Sequence, residues 1–337
     1  MKSLTTKLLF GLAAATLAAT AVADTTAAPA EVRFAWAGAP RVWVLGKADK
    51  SFDQALGVPV KWVQFNTGAD VLALFASKQI DIARFGSNPA VSGYAQGLPI
   101  ELISVPEIIT TAEQLVVRAD IKDVKGIEGR TIAYPPNSTA QYALEALLDR
   151  GHADRAKVKL VPLKPAEIVA AWKRGDIDGA YAWDPAKAQL VADGAHVVFS
   201  TGDLRKDGVL IYNNFVVSKD FAAKYPQLVA AFLKNYQKKV EDYRQDPERA
   251  AATIAATLDQ PVDSVRTALR GMEYPTIAEL LSAEYLGASA DGAPSGIARA
   301  QAETAAFLVK AGQLQSTRVP ASFVPFNNAS FLRQAGN

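Results

Sequence analysis

The sequence predicts an α/β protein of two similar lobes, each an open sheet flanked by helices. Two stretches and the length carry that expectation. PAEIVAAWKRGDIDGAYAWDPA, Pro165 to Ala186, reads as a helix, a tight turn, a strand and the start of a second helix. IDIARFGSNPA, Ile80 to Ala90, repeats its later part after the apolar run VLALFAS. Both copies open on Ile-Asp, carry an aromatic near the strand's end, and close on a cap residue and Pro-Ala. A chain of 337 residues suggests two domains.

Within Pro165–Ala186, the spacing of Ile168, Val169 and Trp172 makes one side of the first helix apolar. Gly175 ends that helix, because glycine enters the left-handed position after a helix without strain. Ile177 to Trp183 is short, apolar and aromatic, as a buried parallel strand is. Asp184 is then expected to cap the next helix, with Pro185 as its first residue. Trp183 and Asp184 thus fall at the carboxyl end of a strand, where open α/β sheets bind their ligands.

Taken in order, the chain starts with a leader rather than with the fold. Lys2 and Lys7 precede an apolar run from Leu8 to Ala19, and Ala21-Val22-Ala23 has the small residues of a cleavage site. Strands follow at Val32–Trp36 and Val60–Phe65, with Thr67 capping a helix from Ala69 to Ser77 and Gly68 letting a ligand approach the backbone. Ile100–Val105 is a strand, and Gln114–Arg118 is expected to cross into the second lobe. That lobe would use Arg130–Tyr134, Val158–Leu163 and His196–Ser200. Val209–Ser218 would return to the first lobe and pair with 114–118 as a two-stranded hinge. The implied division is lobe one at 24–115 and 209–337, lobe two at 116–208. Leu228, Phe232, Tyr236, Val240 and Tyr243 mark a long helix which, with 249–258 and 295–310, is expected to cover the outside of lobe one.

Composition narrows the chemistry. The formal net charge of +2 shows no basic excess, so nucleic acid is not expected as a partner. There is no cysteine, which excludes disulfides, thiolate catalysis and a lipidated N-terminal cysteine, and the two histidines, His152 and His196, are far apart. No cofactor or metal is expected. Two helix starts, Ser87-Asn88 and Ser138-Thr139, carry small polar residues without acids, and helix N-termini favour anions. Ordinary capping explains a single such serine, whereas two helix starts on opposite lobes, with Thr67, argue more for an anion. Trp183 reads as a ligand wall, Trp36 and Tyr134 as core or wall, and Arg84 as one half of a structural ion pair that could reach an anion.

The stretch AAWKRGDIDGAYAWDPA, with FNTGAD (65–70), RFGSNPA (84–90), GRTIAYPPNSTAQY (129–142) and NFVVSKDF (214–221), resembles the nitrate/sulfonate/taurine substrate-binding family of ABC importers, in its taurine-binding branch. The resemblance covers most of the mature chain. It implies a type II periplasmic binding protein, two α/β lobes joined by a two-stranded hinge. Such a protein would be a monomer in the periplasm that closes on taurine or a kindred small sulfonate and delivers it to an ABC permease. Taken together, helix starts and strand ends give the candidate ligand set Thr67, Gly68, Ser87, Asn88, Glu113, Ser138, Thr139, Trp183, Asp184 and Asn213. One departure stands out. Taurine-binding members carry an acid before the aromatic-Val-Val of the returning strand, whereas this chain has Asn213 and Asn214. An amine would then need Asp184 beside Trp183, with the Ser87 and Ser138 helix starts holding the sulfonate and Glu113 as the next carboxylate to consider. Asp184 as a plain cap is the competing reading. Another alkanesulfonate or small organic anion, or an exported enzyme on the same scaffold, are the alternatives.

The leader makes a checkable statement. Mass spectrometry of the periplasmic fraction should find a mature chain beginning at Asp24, and an intact Met1 terminus there would refute the cleavage site.

Overall fold

The computed structural model describes residues 27–290 and 292–336. The expected leader and its cleavage site lie outside them. In chain order the strands are β1 (Val32–Trp36), β2 (Val60–Gln64), β3 (Ile82–Gly86), β4 (Ile100–Ile109), β5 (Glu113–Val117), β6 (Thr131–Tyr134), β7 (Lys159–Pro162), β8 (Gly179–Trp183), β9 (His196–Ser200), β10 (Tyr212–Ser218) and β11 (Met272–Glu273). They form one sheet in the order β11-β4-β10-β3-β1-β2 and another in the order β7-β6-β8-β5-β9.

The two sheets repeat one pattern. β3 runs between parallel β1 and antiparallel β10, and β8 runs between parallel β6 and antiparallel β5. Ala35 faces Ala83 as Ala133 faces Ala180. The two Ile-Asp dipeptides explain why the motif recurs. Asp81 accepts a hydrogen bond from the Arg33 backbone N–H at 2.8 Å, and Asp178 accepts one from Thr131 N–H at 2.8 Å. Each aspartate therefore fastens the start of one parallel strand to its neighbour, where the ladder alone leaves a donor unpaired. Asp81 also receives the Arg33 guanidinium, with Nε at 2.9 Å.

Packing follows from the apolar strand faces. In the first lobe, the helix Pro226–Gln245 lays Phe232 and Tyr236 on Phe215 of β10, ring centroids 5.0 and 4.8 Å apart. In the second, Ile168 and Trp172 from the helix Pro165–Arg174 pack with Val116 and Leu190. That helix ends at Gly175, whose φ of 82° is left-handed, as expected. Among the described residues, no helix is long and apolar enough to cross a membrane.

Three expectations need correction. β10 does not pair with 114–118. It pairs with β3 and β4, while β5 lies between β8 and β9. The connection between lobes is still two-stranded, because Ile109 N–H donates to Ile211 C=O at 3.0 Å where the two crossing segments run side by side. Second, the helix after β8 spans Ala186–Ala192 with Pro185 at its cap position, one residue later than expected. Third, the helix Gly296–Lys310 does not cover the first lobe alone. Its Phe307 meets Tyr142 at 4.9 Å and its Lys310 pairs with Asp149 at 2.5 Å, both on the second lobe's helix Thr139–Asp149.

The paired aspartates set unequal costs. The Asp81 side chain is 9% exposed and Asp178 29%. Asp81→Ala should cost about 2–3 kcal/mol by stranding a buried N–H and the Arg33 charge, and Asp178→Ala about 1–2 kcal/mol. Urea unfolding of both variants and their double should show additive losses, because the sites share no partner.

A charged cleft between the lobes

The carboxyl ends of β1, β3 and β8, with the starts of four helices, enclose a cleft of about 80 Å³. Of the residues expected to bind ligand, Thr67, Gly68, Glu113, Ser138, Thr139, Trp183 and Asn213 line it, whereas Ser87, Asn88 and Asp184 do not. Trp36 and Tyr134 also stay outside. Trp36 packs on Trp43 with Lys47 above its ring at 4.5 Å.

The deep end is built on Glu107 of β4, which is fully buried. Its Oε2 accepts Arg84 Nε at 2.9 Å, a second bond from Arg84 Nη2, and Asn213 Nδ2 at 3.1 Å. Arg41 Nε lies 3.6 Å from the same oxygen. Strand pairing explains the meeting, because β10 separates β3 from β4 and brings Asn213 opposite both Gly86 and Glu107. Two guanidiniums thus share one carboxylate, leaving a surplus positive charge in a buried place. Only Nη1 of Arg41, which donates to Pro40 C=O at 2.6 Å, and Nε and Nη2 of Arg84 are engaged in hydrogen bonds among the described residues. Each arginine keeps N–H groups for a ligand. Burial, with the neighbouring Arg84, pulls the Arg41 guanidinium below its ordinary value.

Across the cleft stands Glu113, the first residue of β5, paired in register with Trp183. Thr139 Oγ1 donates to its Oε1 at 2.6 Å, while Oε2 has no partner among the described residues. Burial pushes this carboxyl up from 4.5 to about 7, although the Thr139 bond and the charges of Arg41, Arg84 and Lys187 pull the other way.

The hydroxyls expected to meet an anion are mostly committed elsewhere. Thr67 accepts from Asp70 N–H at 3.2 Å, and Ser138 donates to Pro135 C=O at 2.5 Å while capping Gln141 N–H. Ser87 is the first residue of its helix rather than its cap, and its buried Oγ has no partner among the described residues. Asn88 reaches across to the second lobe, donating to Ser138 C=O at 3.0 Å. The lobes approach so closely there that a Cβ on Gly86 would lie 2.8 Å from Thr139 Cγ2, and one on Gly68 2.8 Å from Asn137 C=O.

Asp184 is corrected outright as an amine receptor. It is 4% exposed, accepts Ala188 N–H at 3.0 Å and pairs with buried Lys187 at 3.4 Å. Lys187 in turn donates to the C=O of Thr111 at 3.1 Å, tying this helix to the crossing segment. The chain turns away from the cleft after Trp183, so Trp183 forms a wall and its neighbour does not. The Asp184-x-x-Lys187 spacing, one helical turn, was the sequence signal for that pair. Arg41, in the loop after β1, carries no periodic signal that marks it as a cleft residue, and Arg84 serves both as ion-pair partner and as cleft lining. No group of three or more His, Cys, Asp or Glu side chains placed to hold a metal occurs among the described residues.

Two α/β lobes joined by paired crossings, with a buried charged cleft between them, form the fold of the periplasmic binding proteins. The chain belongs to the NMT1-like family, whose model matches residues 34–258. It is 35% identical over 204 residues to the taurine-binding periplasmic protein of Escherichia coli (strain K12), an alignment covering 60% of this chain and 63% of that relative, less than two thirds of its length. The alkanesulfonate-binding protein SsuA from Xanthomonas axonopodis pv. citri, bound to MOPS, superposes with a TM-score of 0.71 at 21% identity, over 87% of this chain and 96% of that one. The aliphatic sulphonate binding protein SsuA from Escherichia coli gives 0.73 at 19% identity, over 90% and 99%. These structural likenesses establish the predicted fold.

The Glu113 carboxyl links stability to pH. Below 4.5 it is protonated in both folded and unfolded chains, and between 4.5 and about 7 the folded chain alone keeps the proton. Its contribution is therefore fully present at low pH and lost as pH rises through that window. The loss should reach about 3 kcal/mol in the ligand-free protein. Glu113→Gln should abolish this component, so urea unfolding of the two proteins should diverge toward pH 8 with the variant the more stable. Parallel pH profiles would contradict it.

Proposed function

We propose that this chain is the solute-binding component of an ABC importer, exported to the periplasm, which captures taurine or a similar small sulfonate and hands it to a membrane permease. The observation that carries this reading is the charge pattern of the cleft: a buried arginine pair with one surplus positive charge faces a buried carboxyl with a free oxygen. A sulfonate on Arg41 and Arg84 neutralises the surplus, and an ammonium on Glu113 neutralises the other wall. A short zwitterion thus leaves no buried charge unpaired, which is the condition for enclosing it. Trp183 supplies an apolar wall for the carbon chain between the two charges. The names of the sulfonate- and taurine-binding relatives support the same ligand class.

The residues lining the cleft include neither histidine nor cysteine, so the reading is binding without turnover. A one-to-one ligand at 100 times its Kd should stabilise the folded form by about 2.7 kcal/mol, a rise of several degrees in Tm. Thermal melts and calorimetry with taurine, other alkanesulfonates, sulfate and nitrate test it. A sulfonate should give the shift and be recovered unchanged. No shift with any sulfonate, or consumption of one, refutes the proposal.

A further inference from the structure

Resting on the sulfonate reading above, we propose that Glu113 is the charge selector of the cleft: ionised, it admits a zwitterionic aminosulfonate, and protonated, it admits a sulfonate whose tail carries no charge. The argument is geometric. Glu113 is the one carboxylate among the cleft-lining residues, it is 4% exposed, and its single side-chain hydrogen bond among the described residues comes from Thr139 at 2.6 Å. Its other oxygen is buried and unpartnered. A carboxylate so placed is stable only beside a cation, and among the described residues none forms an ion pair with it. Arg84 and Arg41 face it from β3 and the loop after β1, but both are drawn to Glu107 of β4. Lys187 faces it from the helix after β8, but is held by Asp184. Tyr181 of β8, the remaining titratable neighbour, donates to or accepts from Thr201 at 2.8 Å and stays neutral because burial raises it.

The ligand's own tail therefore decides the proton. An ammonium donates to ionised Glu113, and its positive charge stands in for the partner the protein lacks. A methyl in the same place offers nothing to a buried negative charge, so that complex forms with the protonated carboxyl. With Glu113 protonated the cleft keeps the surplus charge of the Arg41–Glu107–Arg84 cluster, which a monoanion offsets alone. Burial places the changeover near neutrality, at about 7.

Taurine and propane-1-sulfonate test this, because they differ by NH₃⁺ against CH₃ at nearly equal size. Calorimetry of the mature protein with each ligand from pH 7.5 to 5.5 should show taurine weakening about twentyfold as the ionised fraction falls, while propane-1-sulfonate tightens about fourfold. Titrations in buffers of different ionisation enthalpy should show a proton released with taurine and one taken up with propane-1-sulfonate. Glu113→Gln, which keeps the acceptor for Thr139, should bind both ligands with pH-independent affinities and lose most of the preference for taurine at pH 7.5. Affinities that ignore pH in the unaltered protein, or that move together for both ligands, overturn the proposal even if Glu113→Gln fails to fold. If neither sulfonate binds at any pH, the solute reading itself falls and takes this inference with it, a result distinct from binding that disregards pH.

Discussion

Glu107 is the constraint on which the cleft depends. It has no contact with solvent, yet its carboxylate is shared by Arg84, Arg41 and Asn213, three residues from three separate places in the chain. Removing one partner from a buried ion cluster leaves the others uncompensated, at a cost of about 3–5 kcal/mol. The cluster therefore locks the relation of β3, β4, β10 and the loop after β1. It also fixes where the two guanidiniums point. Stability of the first sheet and definition of the arginine-lined end of the cleft are one interaction seen from two sides.

The scaffold was largely legible in the sequence, because it rests on local signals. Alternation, glycine stops and Pro-Ala helix starts placed the strands within a few residues. The repeated Ile-Asp marked the two equivalent corners because that aspartate has the same task in each. The site was less legible, since its decisive contacts join positions far apart. Arg41 to Arg84 to Glu107 spans three elements with no periodic relation, and Glu113 meets Thr139 only because β5 lies beside β8. Even so, seven of the expected cleft residues do line the cleft, since strand ends and helix starts converge there.

Asp184 and Glu113 show why residue type alone misleads. Both are buried carboxylates near the end of β8. Asp184 accepts a helix N–H through one oxygen and has a lysine 3.4 Å from the other, so a cation of the protein already stands beside it. Glu113 has a hydroxyl and nothing more, so its charge depends on what else enters. The difference lies in their partners, which only the fold assigns.

The helix Gly296–Lys310 carries a consequence for how the two lobes are held. It belongs by packing to the first lobe's helix Ser87–Ala95 yet touches the second lobe through Phe307 and Lys310. Those contacts, with the Asn88 to Ser138 bond, join the two lobes directly through a ring pair, an ion pair and an amide. Any arrangement that parts the lobes must give up all three, so this helix sets part of the cost of opening.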